Sequence, residues 1–302
     1  MRYLTLGLAV GCVFAVSGCN NFGTRWGFRD SGDQAALPQE NPTAAQLVNY
    51  VNSNAQRMTS VKCMDVDLDC KVGSQALGLQ AKMVCQKAKN FRLVATVLGN
   101  TQADLGSNDQ EFWYWIAKAE PPYLVHCSYA DLANRARPIE LPFPFQPEWV
   151  MEALGMAEYD PAGEYVVTNS KGTLQLMQRS VSPQGLPVRK VTVFDARRNA
   201  RVRVMAHLLQ DEQGKEICSA YINDVQVIGG VAVPTKIILR WPAQRLEMKM
   251  KLNGPLLNQL DQANTGGYFT RPTIANVQAY DLAHGPDGAA TQLSPTGGAV
   301  PR

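Results

Sequence analysis

Histidine and cysteine are the residue types of this chain that could support nucleophilic or metal chemistry, and it contains three histidines and seven cysteines. His126 and Cys127 are adjacent, and a thiol beside an imidazole is the pair that a cysteine nucleophile requires. Their segment has the pattern of a strand, however, in which neighbouring side chains point to opposite faces. His207 and His284 have no Cys, Asp or Glu at the spacing of metal ligands. We therefore expect structural histidines and no metal site.

An acidic row, Asp65, Asp67 and Asp69, is a second candidate for chemistry. Three carboxylates on one straight strand do not converge on a cation, so a solvated strand face is the favoured interpretation. The chain contains no G-x-S-x-G, Walker or dinucleotide-binding sequence. We expect no enzymatic activity and no cofactor, and a hydrolase is the least favoured of three functional classes.

Cys19 is the residue with the most specific predicted chemistry, because it lies where a lipid acceptor is expected. Residues 1–18 carry Arg2 as their only charge and an apolar run that is too short to cross a bilayer. This pattern is typical of a secretory signal peptide. The sequence Val16-Ser17-Gly18-Cys19 resembles the bacterial lipobox, which predicts cleavage after residue 18 and lipidation of Cys19. The alternative is an ordinary signal peptide in which Cys19 is incidental.

The predicted anchor also predicts a location in the cell envelope. Asn20, which follows the cysteine, is not acidic, and this favours the outer membrane, facing the periplasm. Several acyl chains, such as palmitate, on one cysteine anchor a protein firmly, whereas a single chain binds only marginally. No second apolar stretch approaches spanning length. We expect the remainder of the chain to be soluble and monomeric.

Composition limits the possible partners. Hydrophobic residues make up 45% of the chain, charged residues 18%, and the net charge of +3 is not concentrated in a basic tract. Nucleic acid is therefore not an expected partner. The cysteines that remain after the predicted processing show no C-x-x-C pattern, and their pairing stays open, with buried free thiols at least as well favoured as a bridge to Cys85. They are Cys63, Cys70, Cys85, Cys127 and Cys218.

The elements that position these residues follow from hydrophobic periodicity. A tether over residues 19–40 precedes a domain over 41–272, which opens with a helix over 42–59 that has Asn41 as its cap. The period then changes to that of strands. We assign one face of the first hairpin to the apolar residues Met64, Val66, Leu68, Cys70, Leu77, Leu79, Ala81, Met83 and Cys85, and the opposite face to Cys63 and the three aspartates.

Further strands are predicted along the rest of the chain, with two short helices between them and a disordered tail over 273–302. The helices cover 130–136 and 147–154, and the intervening loop over 138–145 contains three prolines. About a dozen antiparallel strands with one apolar face each must curl or stack to bury it. We predict a mainly β protein with a few helices (α+β), in which an antiparallel, half-open β-barrel has a helical lid over an apolar cavity.

The order of these elements resembles that of the periplasmic lipoprotein-sorting family, the LolA/LolB-like fold. The likeness covers about residues 42–272: an initial helix, a meander through Leu105-Gly106-Ser107-Asn108, a helical insertion over 130–155, and Pro234-Thr235-Lys236 followed by the charged, alternating strand that ends before Asn253. The resemblance implies a half-barrel with a helical lid over a hydrophobic cavity. The lipidated N-terminus is similar to the membrane-bound receptor member rather than to the soluble carrier.

These observations together predict a membrane-anchored lipoprotein that binds a lipid, an acyl chain or a lipidated protein in the cavity. The alternative is a structural or interaction lipoprotein whose barrel is filled by its own side chains. Trp113 and Trp115 share a face, and ordinary core packing is the alternative to ligand contact for them. The predicted cavity-lining residues are Met64, Val66, Leu68, Leu77, Leu79, Met83, Trp113, Trp115, Leu246, Met248, Met250 and Leu252.

Overall fold

A computed structural model describes residues 42–120, 122–134, 139, 146–170, 172–182, 185–195, 203–260, 265 and 267–286. The predicted signal peptide, Cys19, the tether and Asn41 lie outside these residues. So do all of the proline loop except Ile139, and residues 287–302 of the predicted tail.

The described chain is mainly β, with three short α-helices and one 3₁₀ turn at Pro242–Gln244. The helices are α1 (Ala44–Ala55), α2 (Tyr129–Leu132) and α3 (Pro147–Ala153). The strands of the first meander are β1 (Ser60–Val72), β2 (Gln75–Gln86), β3 (Asn90–Val97), β4 (Asn100–Ser107), β5 (Glu111–Ile116) and β6 (Leu124–Ser128). Those of the second are β7 (Tyr165–Ser170), β8 (Thr173–Val181), β9 (Pro187–Asp195), β10 (Arg203–Gln210), β11 (Glu216–Ile228), β12 (Val231–Trp241) and β13 (Leu246–Leu252). Three short strands follow: β14 (Leu256–Leu257), β15 (Ala279–Asp281) and β16 (Gly285–Pro286).

All the strands belong to one sheet, in the order β16-β15-β6-β5-β4-β3-β2-β1-β13-β12-β11-β10-β9-β8-β7, with β14 paired to the start of β1. Neighbours are antiparallel except β15 and β6, which are parallel. Helix α3 contacts β4 in the first meander and β10 and β11 in the second. The sheet therefore curves around α3 with its two edges unjoined, and the predicted half-open barrel with helices on its concave side is confirmed.

The pairing of β1 with β13 at the centre of the sheet follows the predicted alternation. Leu68 lies opposite Met250, Val66 lies opposite Leu252, and these side chains are buried. Asp67 lies opposite Lys251 on the other face, where the Lys251 Nζ is 3.4 Å from the Asp67 carboxylate. A shift of one residue would bury the charged set, so the hydrophobic pattern determines this register.

The assignment of Met64 to the concave face and of Cys63 to the outer face is wrong. The register of β1 against β2 shifts between Cys63 and Val66, and an extra residue at such a bulge reverses the faces of the residues before it. Cys63 is consequently fully buried in the core, whereas Met64 is 44% exposed.

The cavity-lining prediction is also wrong for Trp113 and Trp115, which do share a face, but the outer one. Trp113 lies opposite Gly106, where a Cβ would collide with the indole ring. Its Nε1 donates to Asp104, which forms an ion pair of 2.7 Å with Arg92. Phe112 and Tyr114, the intervening residues of β5, face the concave core instead.

A disordered tail from residue 273 is a further prediction that the structure corrects. Residues 268–286 cross the outer face of the first meander and extend the sheet. The Arg92 guanidinium donates to the carbonyl oxygen of Tyr268, and the backbone N–H of Leu282 donates to that of His126. The strands β15 and β16 thus complete the sheet beside β6.

Candidate functional site

Helix α3 fills the centre of the concave side. Pro147 occupies its first turn, where the missing N–H costs nothing, and Gly155 adopts a left-handed conformation (φ +80°) just beyond its end. The buried side chains of this segment include Met151 and Leu154, which belong to the same core as Met248 and Met250. The apolar floor of the half-barrel is therefore covered by a helix of only seven residues.

A pocket of about 370 Å³ lies along the edge of α3, where it approaches α2 and the ends of β8, β9 and β10. This volume is within the range of small-molecule sites, about 300–1,000 Å³. Its lining combines apolar and charged side chains: Lys89, Tyr129, Leu132, Ala133, Gln146, Glu148, Trp149, Glu152, Ser180, Val181, Ser182, Val188, Lys190 and Leu209.

A buried polar cluster adjoins the pocket beneath α3, centred on Glu152. Lys190 of β9 donates to Glu152 Oε2 at 3.3 Å, and the Tyr159 hydroxyl donates to Glu152 Oε1 at 3.3 Å. His207 Nδ1 of β10 is 3.6 Å from Glu152 Oε1. The Tyr159 hydroxyl also lies 2.5 Å from Thr192 Oγ1 and 3.3 Å from His207 Nδ1. The carboxylate of α3 is thereby connected to two strands of the floor.

Burial by itself raises the pKa of a carboxyl group, but the groups around Glu152 reverse its effect. Hydrogen bonding from His207 and the positive charge of Lys190 hold the pKa of Glu152 at about 2. Burial, followed by the negative charge of Glu152, raises the pKa of Tyr159 well above its usual value. Glu152 is thus ionised and Tyr159 neutral at ordinary pH, which is the combination that their hydrogen bond needs.

Tyr159 also joins this cluster to helix α1. The Asn52 side chain donates to the Tyr159 carbonyl at 2.8 Å and accepts from the Tyr159 N–H at 2.7 Å. Both backbone groups of Tyr159 are therefore paired by one side chain. The segment after α3 is positioned by α1, and the Tyr159 ring is carried to the end of Glu152.

The opposite part of the pocket is built around Tyr129 of α2. The Lys89 Nζ lies 4.0 Å from the centre of the Tyr129 ring, a distance typical of a cation–π contact. Glu148 lies near the Tyr129 hydroxyl and, after burial, is the largest cause of the raised pKa of Tyr129. Lys89 and Glu148 thus flank one aromatic ring at the pocket wall.

None of the residues predicted to line a cavity is among the described residues that line this pocket. Met64, Trp113 and Trp115 are on the outer face, and Leu77 is 44% exposed near a hairpin tip. Leu79 and Leu246 pack at the margin of the core. The others lie in the core, beneath the helices or beside them: Val66, Leu68, Met83, Met248, Met250 and Leu252. Their contact with a ligand stays a prediction.

The polar cluster was not predicted, because its members are far apart in the sequence. The available signal was weak: Thr192 and His207 occupy inward positions of strands whose other inward residues are largely apolar. They lie opposite each other across β9 and β10. Only the pairing of these strands makes the two positions one site.

His126 and Cys127 point to opposite faces, as the strand pattern predicts. His126 lies opposite Trp113, with its Nδ1 3.5 Å from Glu111, whereas Cys127 lies opposite Phe112 in the core. Within the described part of the chain, no three His, Cys, Asp or Glu side chains are grouped so that they could hold a metal ion. The five cysteines whose pairing was open, Cys63, Cys70, Cys85, Cys127 and Cys218, are free thiols.

A search of the described residues for a membrane-spanning helix finds no candidate of sufficient length and apolar character.

Comparison with known proteins identifies similarity in structure alone. No protein-family model and no curated protein sequence matches the chain. A DUF1329 family protein from Desulfovibrio piger is similar with a TM-score of 0.48 and 10% identity, over 75% of this chain and 98% of the other. A putative outer membrane lipoprotein-sorting protein domain from Vibrio parahaemolyticus has a TM-score of 0.48 and 7% identity, over 75% and 97%. A LolA superfamily protein from Nitrosomonas europaea has a TM-score of 0.45 and 12% identity, over 76% and 98%. The family that the order of elements resembles is thus among the similar structures.

Proposed function

We propose that this chain is a lipid-anchored lipoprotein of the cell envelope that binds a lipid, an acyl chain or a lipidated protein on the concave face of its half-barrel. Helix α3 would be the lid. The observation that carries the proposal is the position of α3: seven residues cover the apolar floor, with a pocket open along one edge of the helix. Binding and release on such a surface need no catalytic group.

The driving force would be the exchange of one apolar cover for another. When α3 moves away, core side chains of the strands that it contacts, such as Leu105, Leu209 and Ala220, lose their cover, and an acyl chain entering from the pocket would replace it. Apolar burial stabilises by about 25 cal/mol per Å², so a chain that covers the same floor offsets the cost of displacing the helix. Methionine side chains adapt to ligands of different shape, which suits a floor that receives varied acyl chains.

The membrane anchor in this proposal is Cys19, with its thiol bonded to lipid and its location at the outer membrane, facing the periplasm. Full-length protein should partition with membranes and show a mass increase on its N-terminal peptide, whereas Cys19→Ser should be found in the periplasmic fraction. Retention of the Cys19→Ser chain in the membrane fraction would contradict the anchor. It would leave the binding proposal to be decided separately.

Ligand binding can be tested with the full chain carrying Cys19→Ser, which avoids the detergent that an anchored form requires. After delipidation, the protein should take up a fluorescent fatty acid saturably at one site, and native mass spectrometry should show the same stoichiometry on a monomer. Trp149 of α3 lines the pocket and its Nε1 donates to Gln146 at 2.7 Å. Its emission should therefore change on binding.

A matched pair of variants assigns that change in emission to the lid. Trp149→Phe should remove most of it, while Trp241→Phe, in the core outside the pocket, should retain it. A folded protein that takes up no fatty acid would overturn the proposal.

That negative result would instead favour a structural or interaction lipoprotein with a filled barrel. A specific observation supports this second candidate: Ala153 and Leu154 are fully buried in the concave core. A lid packed to this degree is also what a permanent core element would show. The two candidates differ in whether α3 leaves the sheet.

A further inference from the structure

One charge of each sign at the pocket lacks an ion-pair partner among the described residues: Lys89 and Glu148. The other two charged residues, Lys190 and Glu152, are bonded to each other at 3.3 Å. Among the described residues that line the pocket, two side chains are positive and two are negative, so their charges cancel. A ligand head with a single charge would be attracted by one free residue and repelled by the other.

Lys89 and Glu148 both lie at the Tyr129 ring. The Lys89 Nζ lies above the Tyr129 ring, and Glu148 lies near the hydroxyl of the same ring. Both residues are half-buried, so the solvent screens them less than it would on an open surface. Opposite charges at the face and at the hydroxyl of one ring match a ligand head that carries an anionic and a cationic group a short distance apart.

An apolar wall continues from these charges toward the lid. On the α2 side of the pocket, this wall is formed by Leu132. Beside α3, Val188 and Leu209 form the floor of the pocket. All three belong to the concave core. A ligand with its charged end at Tyr129 would therefore place a hydrocarbon chain on the surface that α3 covers.

We propose that this pocket binds the zwitterionic headgroup of an amphiphile, with its phosphate on Lys89, its ammonium group on Glu148 and the Tyr129 ring, and its chain along Leu132, Val188 and Leu209. This inference rests on the proposed function, because it specifies the class of ligand that enters beneath α3. The pocket selects the head, and the concave floor accepts the chain.

The test compares ligands that share one chain and differ in the head. Isothermal titration calorimetry on the full chain with Cys19→Ser would use dodecylphosphocholine, dodecyl phosphate, dodecyltrimethylammonium and dodecyl maltoside, each below its micelle-forming concentration. We expect dodecylphosphocholine to bind at least about tenfold more tightly than the other three, which is the effect of one charge-assisted contact. Chain-free glycerophosphocholine should bind more weakly than dodecylphosphocholine.

Variants assign the selectivity to the two free charges. Lys89→Gln and Glu148→Gln should each weaken dodecylphosphocholine binding about tenfold and leave dodecyl maltoside binding unchanged. Lys82→Gln, an exposed residue of β2 outside the pocket, is the matched control and should change neither. Unchanged circular dichroism and unchanged maltoside affinity show that a variant is folded.

The possible failures are distinguishable. Equal affinity for all four amphiphiles, or selectivity that survives both pocket variants, overturns the headgroup inference and leaves the proposed function standing. If glycerophosphocholine binds as tightly as dodecylphosphocholine, the hydrocarbon chain contributes nothing to binding. The inference of an amphiphilic ligand is then wrong, and the pocket is a site for the headgroup alone. If no dodecyl ligand binds to the folded protein, both proposals fail.

Discussion

Helices α1 and α3 lie on the same concave face but are attached to it by different means. Both bury apolar side chains against the sheet: Leu47 and Val51 from α1, and Met151 of α3 together with Leu154, which directly follows that helix. The difference lies in their polar contacts, which are directional and therefore determine whether a helix has one position or several.

The attachments of α1 pair its side chains with backbone groups of distant segments. Asn52 pairs with both backbone groups of Tyr159, and Asn54 does the same with Ala232, at 2.8 and 3.0 Å. Arg57, just beyond the helix, donates to the carbonyl groups of Gly229 and Gly230. Displacing α1 would leave several of these groups without partners, at a cost of about 1–3 kcal/mol each where they are buried. Helix α1 is thus a fixed part of the fold.

The attachments of α3 to the strands are apolar contacts and the Glu152 carboxylate, while Glu148 lies near the Tyr129 hydroxyl of α2. Glu152 connects it to Lys190, His207 and Tyr159, and its first turn has no side-chain cap. Apolar contacts are not directional, so another apolar surface can replace them. The two helices thus differ in backbone pairing more than in burial, which is the difference that the proposed movement of α3 requires.

The largest effect should come from removing an apolar anchor of each helix. Leu47→Ala should reduce the free energy of unfolding by about 3–4 kcal/mol, because a cavity remains in a helix that cannot move. Leu154→Ala should reduce the free energy of unfolding by less than Leu47→Ala does, because the reduction cannot exceed the energy that holds α3 on the sheet. Leu154→Ala should also increase fatty-acid uptake. Chemical denaturation measures both. Equal losses with unchanged uptake would mean that α3 is as fixed as α1.

The loss of stability at acid pH should report Glu152, the carboxylate that connects α3 to β9 and β10. The folded pKa of Glu152, about 2, is below its ordinary value of 4.5, so its contribution is complete above about pH 5 and is lost as the pH falls toward 2. The total is about 3 kcal/mol. Glu152→Gln should flatten the fall in stability between pH 5 and 2, and Glu212→Gln, at an exposed turn, should leave it unchanged. A fall that persists in Glu152→Gln would contradict this role.

Removing one backbone pairing of α1 should have a smaller but clear effect. Asn52→Ala leaves the N–H and C=O of Tyr159 unpaired and should cost about 2 kcal/mol. Ser53→Ala, the exposed neighbour on the same helix, should change stability by less than about 0.5 kcal/mol. Hydrogen exchange of the Tyr159 amide should accelerate only in Asn52→Ala. If the two variants are equally stable, the pairing is not what holds α1.

The smallest effect should come from the cap of α1. Thr43 accepts from the N–H of Gln46, whose side chain accepts from the N–H of Thr43 in return. Thr43→Ala should cost about 1 kcal/mol, whereas Thr43→Ser should cost little because it keeps the hydroxyl. Thermal unfolding measures the loss, and Trp149 emission should not change in either variant. A change in that emission would show that α1 and α3 move together.

Periodicity predicted the strands well because each buries one face against a common core. The charged, alternating β13, for example, ends at Leu252, immediately before Asn253, as predicted. The same pattern predicted the curled sheet, because about a dozen strands with one apolar face each can bury those faces only if the sheet curls or stacks. The strands and the curvature of the sheet both follow from the pattern of apolar and polar residues within each strand, and the sequence alone contains that pattern.

The predictions were wrong where a bulge or a segment distant in the sequence determines which face of the sheet a side chain occupies. Cys63 and Val66 cannot share a face by strict alternation, and the change of phase between Val61 and Val66 was the available sign of a bulge. Trp113 faces outward, on the side of the sheet where Tyr268 and Phe269 return to bind Arg92 and Asn108, and nothing near β5 predicts that return. The cluster of Glu152, Thr192 and His207 likewise exists only after a helix has been placed on two strands.

The pairing of β1 with β13 has a consequence for how the molecule is made. Val66 must find Leu252 across most of the domain's sequence, and contacts between such distant residues slow folding. Until β13 has emerged, β1 is an edge strand with an unpaired row of backbone groups. Such an edge can pair with another chain. The nascent protein is therefore open to aggregation until β13 is synthesised and pairs with β1 at the centre of the sheet.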